Sequence, residues 1–306
     1  MELKVLVIVG PTCSGKTSLG IQLAQKLKSE VISADSRQIY KYLNIGTAKP
    51  NDSQLSLVKH HFIDKLEPDE NYNVSRFEKE SLEVINSLLI KSKIPIIVGG
   101  SGLYIRSIVD GIFDDVDTDE NYRRELMDKR KIFGNEYLYD LLKNVDPKTA
   151  SNILPQNWKR IIRALEVFHL TGKPIWEFHQ NQDRNLELNF LQFGLEWNRE
   201  ILYNNIESRV DAMISNGLVN EVQSILKMGF DKNLNSLNTV GYKEIIDYLE
   251  SKISLERAVE LIKRNTRRYA KRQMTWFRKD ERIFWHKINS ENDIDFISEK
   301  IIESVF

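Results

Sequence analysis

Cysteine is almost missing from this chain of 306 residues: Cys13 stands alone, so no internal disulfide and no thiolate zinc site can be built. A reducing compartment suits such a chain. Long apolar runs are missing too. "VLVIV" and "IPIIV" are the longest, far short of the ~20 residues that cross a bilayer, and "MELK" lacks the charged-then-apolar pattern of a secretory signal. A cytoplasmic protein with no membrane attachment is expected. Neither sign of charge prevails, with 44 Lys and Arg against 44 Asp and Glu, which argues against a chain that coats nucleic acid non-specifically. Fixed-period repeats and low-complexity tracts are absent as well.

What is present describes a folded α/β protein. Hydrophobic residues at 41% and charged residues at 29% place the chain among globular proteins, and its length suffices for one large domain or a domain carrying an insertion. The neutral average hides local charge. "KRNTRRYAKRQMTWFRKDER" near the C-terminus is strongly basic, whereas "FDDVDTDE" at 113–120 is strongly acidic. In the first third, short apolar strands ("KVLVIV", "EVISAD", "IPIIVGG") alternate with amphipathic helical stretches. That rhythm implies a parallel sheet with right-handed crossovers. The spacing predicts a P-loop NTPase-like sheet flanked by helices, with core segments 1–115 and 199–306 and a mostly helical insertion over 116–198. "FLQFGLEW" reads as a further strand, and the remainder reads as mainly helical, in the stretches "REILYNNIESRVDAMISNGLVNEVQSILKMG", "GYKEIIDYLE" and "SLERAVELIKRNTRRYAKRQMTWFRK".

Gly10, Gly15, Lys16 and Thr17 satisfy G-x-x-x-x-G-K-[ST] between a strand and a helix, the context that gives the pattern meaning. Glycines let successive backbone N–H groups face one anion, and the following helix adds its positive end. Gly10, Pro11, Thr12, Cys13, Ser14, Gly15, Lys16 and Thr17 are therefore the expected diphosphate or nucleotide site, with the Thr17 hydroxyl one ligand for Mg²⁺. Cys13 fills a variable position and has no assigned chemistry. The loop alone does not choose among kinase, NTPase and transferase. "EVISAD" places Asp35 at the carboxyl edge of the sheet, where doubly wound folds bind ligands; an Asp capping a following turn is the other reading.

Taken together, "GPTCSGKT", "ISADSRQIYKYLNIGTAKP", "HHFID", "IPIIVGGSGLYIRSIVDG", "RIIRALEVFHLTGKP", "NTVGYKEI" and "YAKRQMTWFRKD" resemble the tRNA dimethylallyltransferases, also called tRNA isopentenyltransferases, over nearly the whole chain. The resemblance implies transfer of a dimethylallyl group from dimethylallyl diphosphate to N6 of the adenine beside the anticodon, position 37 of certain tRNAs, with Mg²⁺. The loop would then hold a prenyl diphosphate, although its pattern invites an ATP label. Lys16 and the loop amides would stabilise charge growing on the leaving group. Asp35 matches the family's general base, needed only as the amine turns acidic during C–N bond formation. Ser101 stands where relatives commonly carry Thr; its hydroxyl can bond the amine or the phosphates, or cap a helix. Arg123 aligns with a family arginine that reaches diphosphate or tRNA, and Arg124 beside it is the alternative register. Relatives in eukaryotes add a C-terminal zinc finger, and this chain carries no cysteines for one, so the bacterial form is expected.

For tRNA the resemblance implies contacts by Asp35, Ser36, Arg37 and Gln38, by Ser101 and Arg123, by Trp158, Lys159, Arg160, Ile161 and Ile162 of the insertion, and by Asn238, Thr239, Val240, Gly241, Tyr242 and Lys243. Arg264, Arg267, Arg268, Lys271 and Arg272 share one broad helix face suited to phosphates, while Ile262, Tyr269, Trp276 and Phe277 form a stripe that is either core or a stacking platform. A loop adenine is cheaper to extrude than one in a duplex, which fits the substrate. His60, His61 and Asp64 of "HHFID" suggest a metal, but adjacent strand residues point to opposite faces, and structural packing is the expectation. A monomer is expected. An enzyme prenylating free AMP or ATP, a small-molecule kinase, and a non-catalytic RNA binder are the rivals.

Overall fold

The N-terminal apolar run forms β1 (Leu3–Val9), and Val5 through Val9 are fully buried. A strand apolar on both faces needs helices on both sides, and the period of two delivers its side chains alternately to each. Val5, Val7 and Val9 join one core with Ile32, Phe77 and Ile262. Leu6 and Ile8 join the opposite core with Leu19, Ile206 and Ile301. The protein was analysed as a computed structural model that describes residues 3–112, 116–180, 187–290 and 292–306; of the acidic stretch beginning at 113, positions 113–115 lie outside them.

After β1 come α1 (Lys16–Lys26), β2 (Val31–Ala34), α2 (Asp52–Leu57), β3 (His60–His61), α3 (Val74–Ile90), β4 (Ile96–Gly99) and α4 (Gly102–Asp110). A second stretch holds α5 (Glu120–Val145), α6 (Pro147–Ala150), α7 (Trp158–Thr171) and α8 (Ile175–Gln180). The chain returns through β5 (Leu188–Trp197), α9 (Arg199–Ser215), α10 (Leu218–Lys227), α11 (Tyr242–Leu249), α12 (Leu255–Phe277), β6 (Ile283–Ile288) and α13 (Asp293–Val305). The strands build one parallel six-stranded sheet in the order β3-β2-β4-β1-β5-β6, flanked by helices.

Two compact units result, Met1–Val109 with Glu187–Phe306, and Asp110–Leu186. The expected insertion ran to 198 and so took in β5. The structure corrects this, because β5 pairs with β1 from Leu3↔Leu188 to Val9↔Gly194 and belongs to the sheet. The second unit has its own core of Leu126, Leu138, Leu142, Ile161 and Leu165, and α5 turns at Gly134, where φ is 84°. There Glu166, fully buried, accepts from Arg123 and Arg163 together. The long helix expected after β5 divides at Gly217, whose φ is 96°.

Candidate active site

Strand register assembles the site. Gly99 pairs with Val9 on one side and Ala34 on the other, so Gly10, Asp35 and Gly100 leave the sheet together at its carboxyl edge. This is the edge at which parallel α/β sheets bind ligands. From β1 the backbone enters the loop through three left-handed residues, Gly10, Cys13 and Gly15, with φ of 151°, 62° and 87°. Gly15 then starts α1, so amide donors of the first turn and the helix dipole face the same space. A Cβ at Gly10 would lie 2.9 Å from the Leu195 carbonyl, so the close approach of loop and β5 requires glycine there. The Trp197 indole N–H donates to the Ser14 carbonyl at 3.2 Å and pins the loop from β5.

Lys16 turns back into this loop, its ammonium donating to the Pro11 carbonyl at 2.5 Å and to the Ser14 hydroxyl at 3.4 Å. Desolvation, reinforced by the Arg209 guanidinium, lowers its pKa from the usual 10.5 to about 8. Two cations held this close repel each other and gain from an anion between them. Burial pushes the Cys13 thiol up, which keeps it protonated and unreactive.

Opposite the loop, Asp35 Oδ1 accepts from Arg37 N–H at 2.8 Å and Gln38 N–H at 3.3 Å. The turn-capping reading holds for one oxygen, and the residue also lines the cavity described next. Ser101 accepts from Ser36 N–H at 3.1 Å, and its own N–H reaches the Ala34 carbonyl at 3.3 Å. It directly precedes α4, so its neighbours are those of both a site residue and a helix start. Burial raises the pKa of Tyr269, with the negative Asp35 adding to the effect, and the Tyr269 hydroxyl faces Ser101. A neutral phenol therefore stands beside the carboxylate.

A cavity of about 520 Å³ has Lys16, Thr17, Asp35, Arg209, Tyr269 and Arg272 on its walls; Ser101 is not among its lining residues and adjoins it through Gly100 and Ser36. Its volume suits a small ligand and an inserted base together. Ser36, Arg37, Gln38, Asn238, Thr239, Val240 and Lys243 line it as well. Sequence reading missed Arg209, a cation set among the buried positions Ile206 and Val210 of α9; charge at that point of an inward stripe was the available signal.

Four residues expected to touch tRNA are buried in the structure. Ile161 and Ile162 are buried in the second unit's core, because α7 turns them inward with Ala164 and Leu165. Tyr242 is fully buried, its hydroxyl donating to Glu221 at 2.6 Å beneath the loop of Gly46. Gly241 is buried too, with φ of 101° at the start of α11. Lys159 and Arg160 are exposed, and Trp158 carries the Arg130 guanidinium 4.1 Å above its ring. Arg123 stands in the second unit with Nε 2.6 Å from Glu166, and the residues lining the cavity do not include it. His61 bonds Glu30 at 2.8 Å, His60 lies 3.0 Å from the Val58 carbonyl, and Asp64 takes Lys49. Of the aromatic stripe, Ile262 and Phe277 are core, whereas Tyr269 faces the cavity and Trp276 borders a groove of about 460 Å³ with Arg268, Lys271, Arg272, Thr275 and Lys279.

Comparison with known proteins gives a consistent answer. The family model described as IPP transferase matches residues 38–280. A tRNA dimethylallyltransferase of Acetivibrio thermocellus is 48% identical over 305 residues, covering 98% of this chain and 96% of the relative. Another, from Pelotomaculum thermopropionicum, is 47% identical over 298 residues, with 97% and 95% covered. Among solved structures, the tRNA isopentenylpyrophosphate transferase of Bacillus halodurans superposes with a TM-score of 0.72 at 37% identity, covering 98% of this chain and 96% of that one. A eukaryotic dimethylallyltransferase seen acting on tRNA gives 0.80 at 29% identity, covering 98% and 80%. The family model spans most of the chain and the matches to these relatives run over 97–98% of it, and on these grounds the chain belongs to the IPP transferase family.

Proposed function

We propose that this enzyme transfers a dimethylallyl group from dimethylallyl diphosphate to N6 of the adenine at position 37, beside the tRNA anticodon. The observation that carries the reading is the convergence of two chemistries in one cavity, a cationic amide-lined loop and an acceptor carboxylate. In the reaction the C1–O bond of the donor breaks and its electron pair leaves with diphosphate. N6 forms a bond to C1 and gives a proton to Asp35. Charge grows on the leaving phosphates as the allylic carbon becomes cationic, so the loop amides, Lys16 and Arg209 bind the transition state more tightly than the ground state. Tyr269 and Ser101 hold neutral hydroxyls beside the base and fix the incoming amine.

Magnesium fits the same place. Among the described residues no three His, Cys, Asp or Glu side chains gather as a metal cluster, and the ion would be held by the Thr17 hydroxyl in the first turn of α1 together with the substrate phosphates and water. Mg²⁺ accepts that set, and when bound it supplies further neutralisation of the phosphate charge.

On the RNA side the reading draws on Arg37, Asn238, Thr239 and Lys243 at the cavity, on exposed Lys159 and Arg160, and on the groove along α12. No helix among the described residues is long and apolar enough to cross a membrane. We take the enzyme to act in the cytoplasm, the reducing compartment that suits its single cysteine. Incubation with dimethylallyl diphosphate, Mg²⁺ and either unmodified tRNA or AMP, read by mass spectrometry, tests the assignment. N6-prenylated adenosine should form in tRNA alone; product from AMP alone would transfer the activity to free nucleotides.

A further inference from the structure

Gln273 on α12 is a nearly buried amide, 5% exposed, that reaches both halves of the site. Its Oε1 accepts from the Thr12 N–H at 2.8 Å, and its Nε2 donates to the Gly100 carbonyl at 2.9 Å. These partners leave different strands: Thr12 belongs to the loop after β1, and Gly100 precedes Ser101 after β4. A Cβ at position 100 would stand 2.2 Å from Nε2, so the backbone there is shaped around the amide. From Gly100 the connection continues, since Ser101 accepts from the Ser36 N–H beside Asp35.

We propose that Gln273 is a positioning residue for the transfer reaction, holding the phosphate loop and the Ser101–Asp35 turn at a fixed separation through the two ends of one planar amide. The inference rests on the function proposed above and adds to it the part that sets the distance between leaving group and base. A neutral side chain that accepts at one end and donates at the other is what these partners demand. Ionised glutamate only accepts, methionine offers neither bond, and asparagine is one methylene short. Reactions that depend on near-attack geometry lose rate steeply when the reacting groups drift by about 1 Å.

Gln273→Met and Gln273→Glu, compared with the wild type, test the assignment through single-turnover transfer, inorganic pyrophosphate affinity and melting temperature. Gln273→Met should stay folded, lose roughly tenfold or more in rate at saturating substrates, and bind pyrophosphate more weakly. Gln273→Glu carries the sharper signature. Its protonated carboxyl can accept from Thr12 and donate to Gly100, whereas the ionised form repels the Gly100 carbonyl. The ratio of variant to wild-type rate should therefore climb towards one as pH falls between about 8 and 5. The charged and ionisable groups lining the same cavity, Cys13, Lys16, Asp35, Arg37, His60, Arg209, Lys243, Tyr269 and Arg272, are identical in the two proteins, so the ratio cancels them. A Gln273→Met enzyme of wild-type rate and affinity, or a ratio flat with pH, would overturn the assignment. Should Gln273→Met fail to fold, the pH ratio of Gln273→Glu decides. If the wild type transfers nothing to tRNA, the functional reading fails separately. Pyrophosphate binding then judges the latch, and wild-type affinity in Gln273→Met rejects it.

Discussion

Asp35 carries two duties that a single substitution can separate. Asparagine keeps an oxygen able to accept from Arg37 and Gln38, so the turn survives, but it cannot take a proton. Asp35→Asn should therefore lower turnover at least about a hundredfold while tRNA binding stays near wild type. Single-turnover prenylation beside filter binding measures both, and a near-wild-type rate removes Asp35 from the chemistry. Lys16 gives a pH signature. Its pKa is lowered from 10.5 to about 8, so the unfolded chain binds more protons between those values, and the folding cost of burying this charge, present below 8, is relieved as pH rises through the window. A bound diphosphate reverses the shift. At about pH 9, calorimetry in buffers of different ionisation heat should show proton uptake on pyrophosphate binding that is smaller in Lys16→Met; equal uptake would mean that Lys16 does not meet the anion. Lys16, Thr17 and Asp35 were legible in the sequence because a spacing or a strand end marks them. Ile161, Ile162 and Tyr242 were not, since a motif string does not say which residues face inward. Gln273 and Tyr269 reach partners in loops distant in sequence, which no local pattern reveals.

At the scale of the element, α12 carries the groove on which the proposed tRNA contact rests. Several of its cations are already neutralised: Lys263 pairs with Asp211, Arg267 with Glu207 and Arg278 with Glu196. Arg268, Lys271, Arg272 and Lys279 have no carboxylate partner among the described residues, and all four border the groove beside Trp276. The basic face read from sequence thus contracts. Arg267 is paired and Arg264 is half-buried, while Lys279 joins from a turn further on. Replacing Arg268, Lys271 and Lys279 together by glutamine should raise the KM for tRNA about tenfold and flatten its salt dependence, with pyrophosphate affinity unchanged. An unchanged salt slope would exclude this face from the RNA contact. Helical period made α12 visible in the sequence, but the pairing of its charges depends on α9 and β5. The short edge strand β6, with Phe284 exposed, and α13 went unread, because a mixed string of charged and aromatic residues shows neither period cleanly.

At the scale of the molecule, the sheet supplies the reacting groups and the second unit folds around a core of its own. The alternation of strands and helices foretold the parallel sheet, and the change in texture after the fourth strand foretold a helical segment. Its far boundary was misplaced because β5 follows charged helical sequence without a glycine or proline to mark the join; the strand was read from "FLQFGLEW", but its place in the sheet beside β1 shows only in the pairing. The central claim is that the loop at Gly10–Thr17 holds the leaving diphosphate while Asp35 meets the amine. A crystal structure with an anticodon stem-loop and an unreactive donor, its bridging oxygen replaced by sulfur, measures this directly. The account predicts both phosphorus atoms within hydrogen-bond reach of the loop amides and Lys16, with an Asp35 oxygen against adenine N6. Phosphates bound away from that loop, or an Asp35 turned from the base, would contradict it.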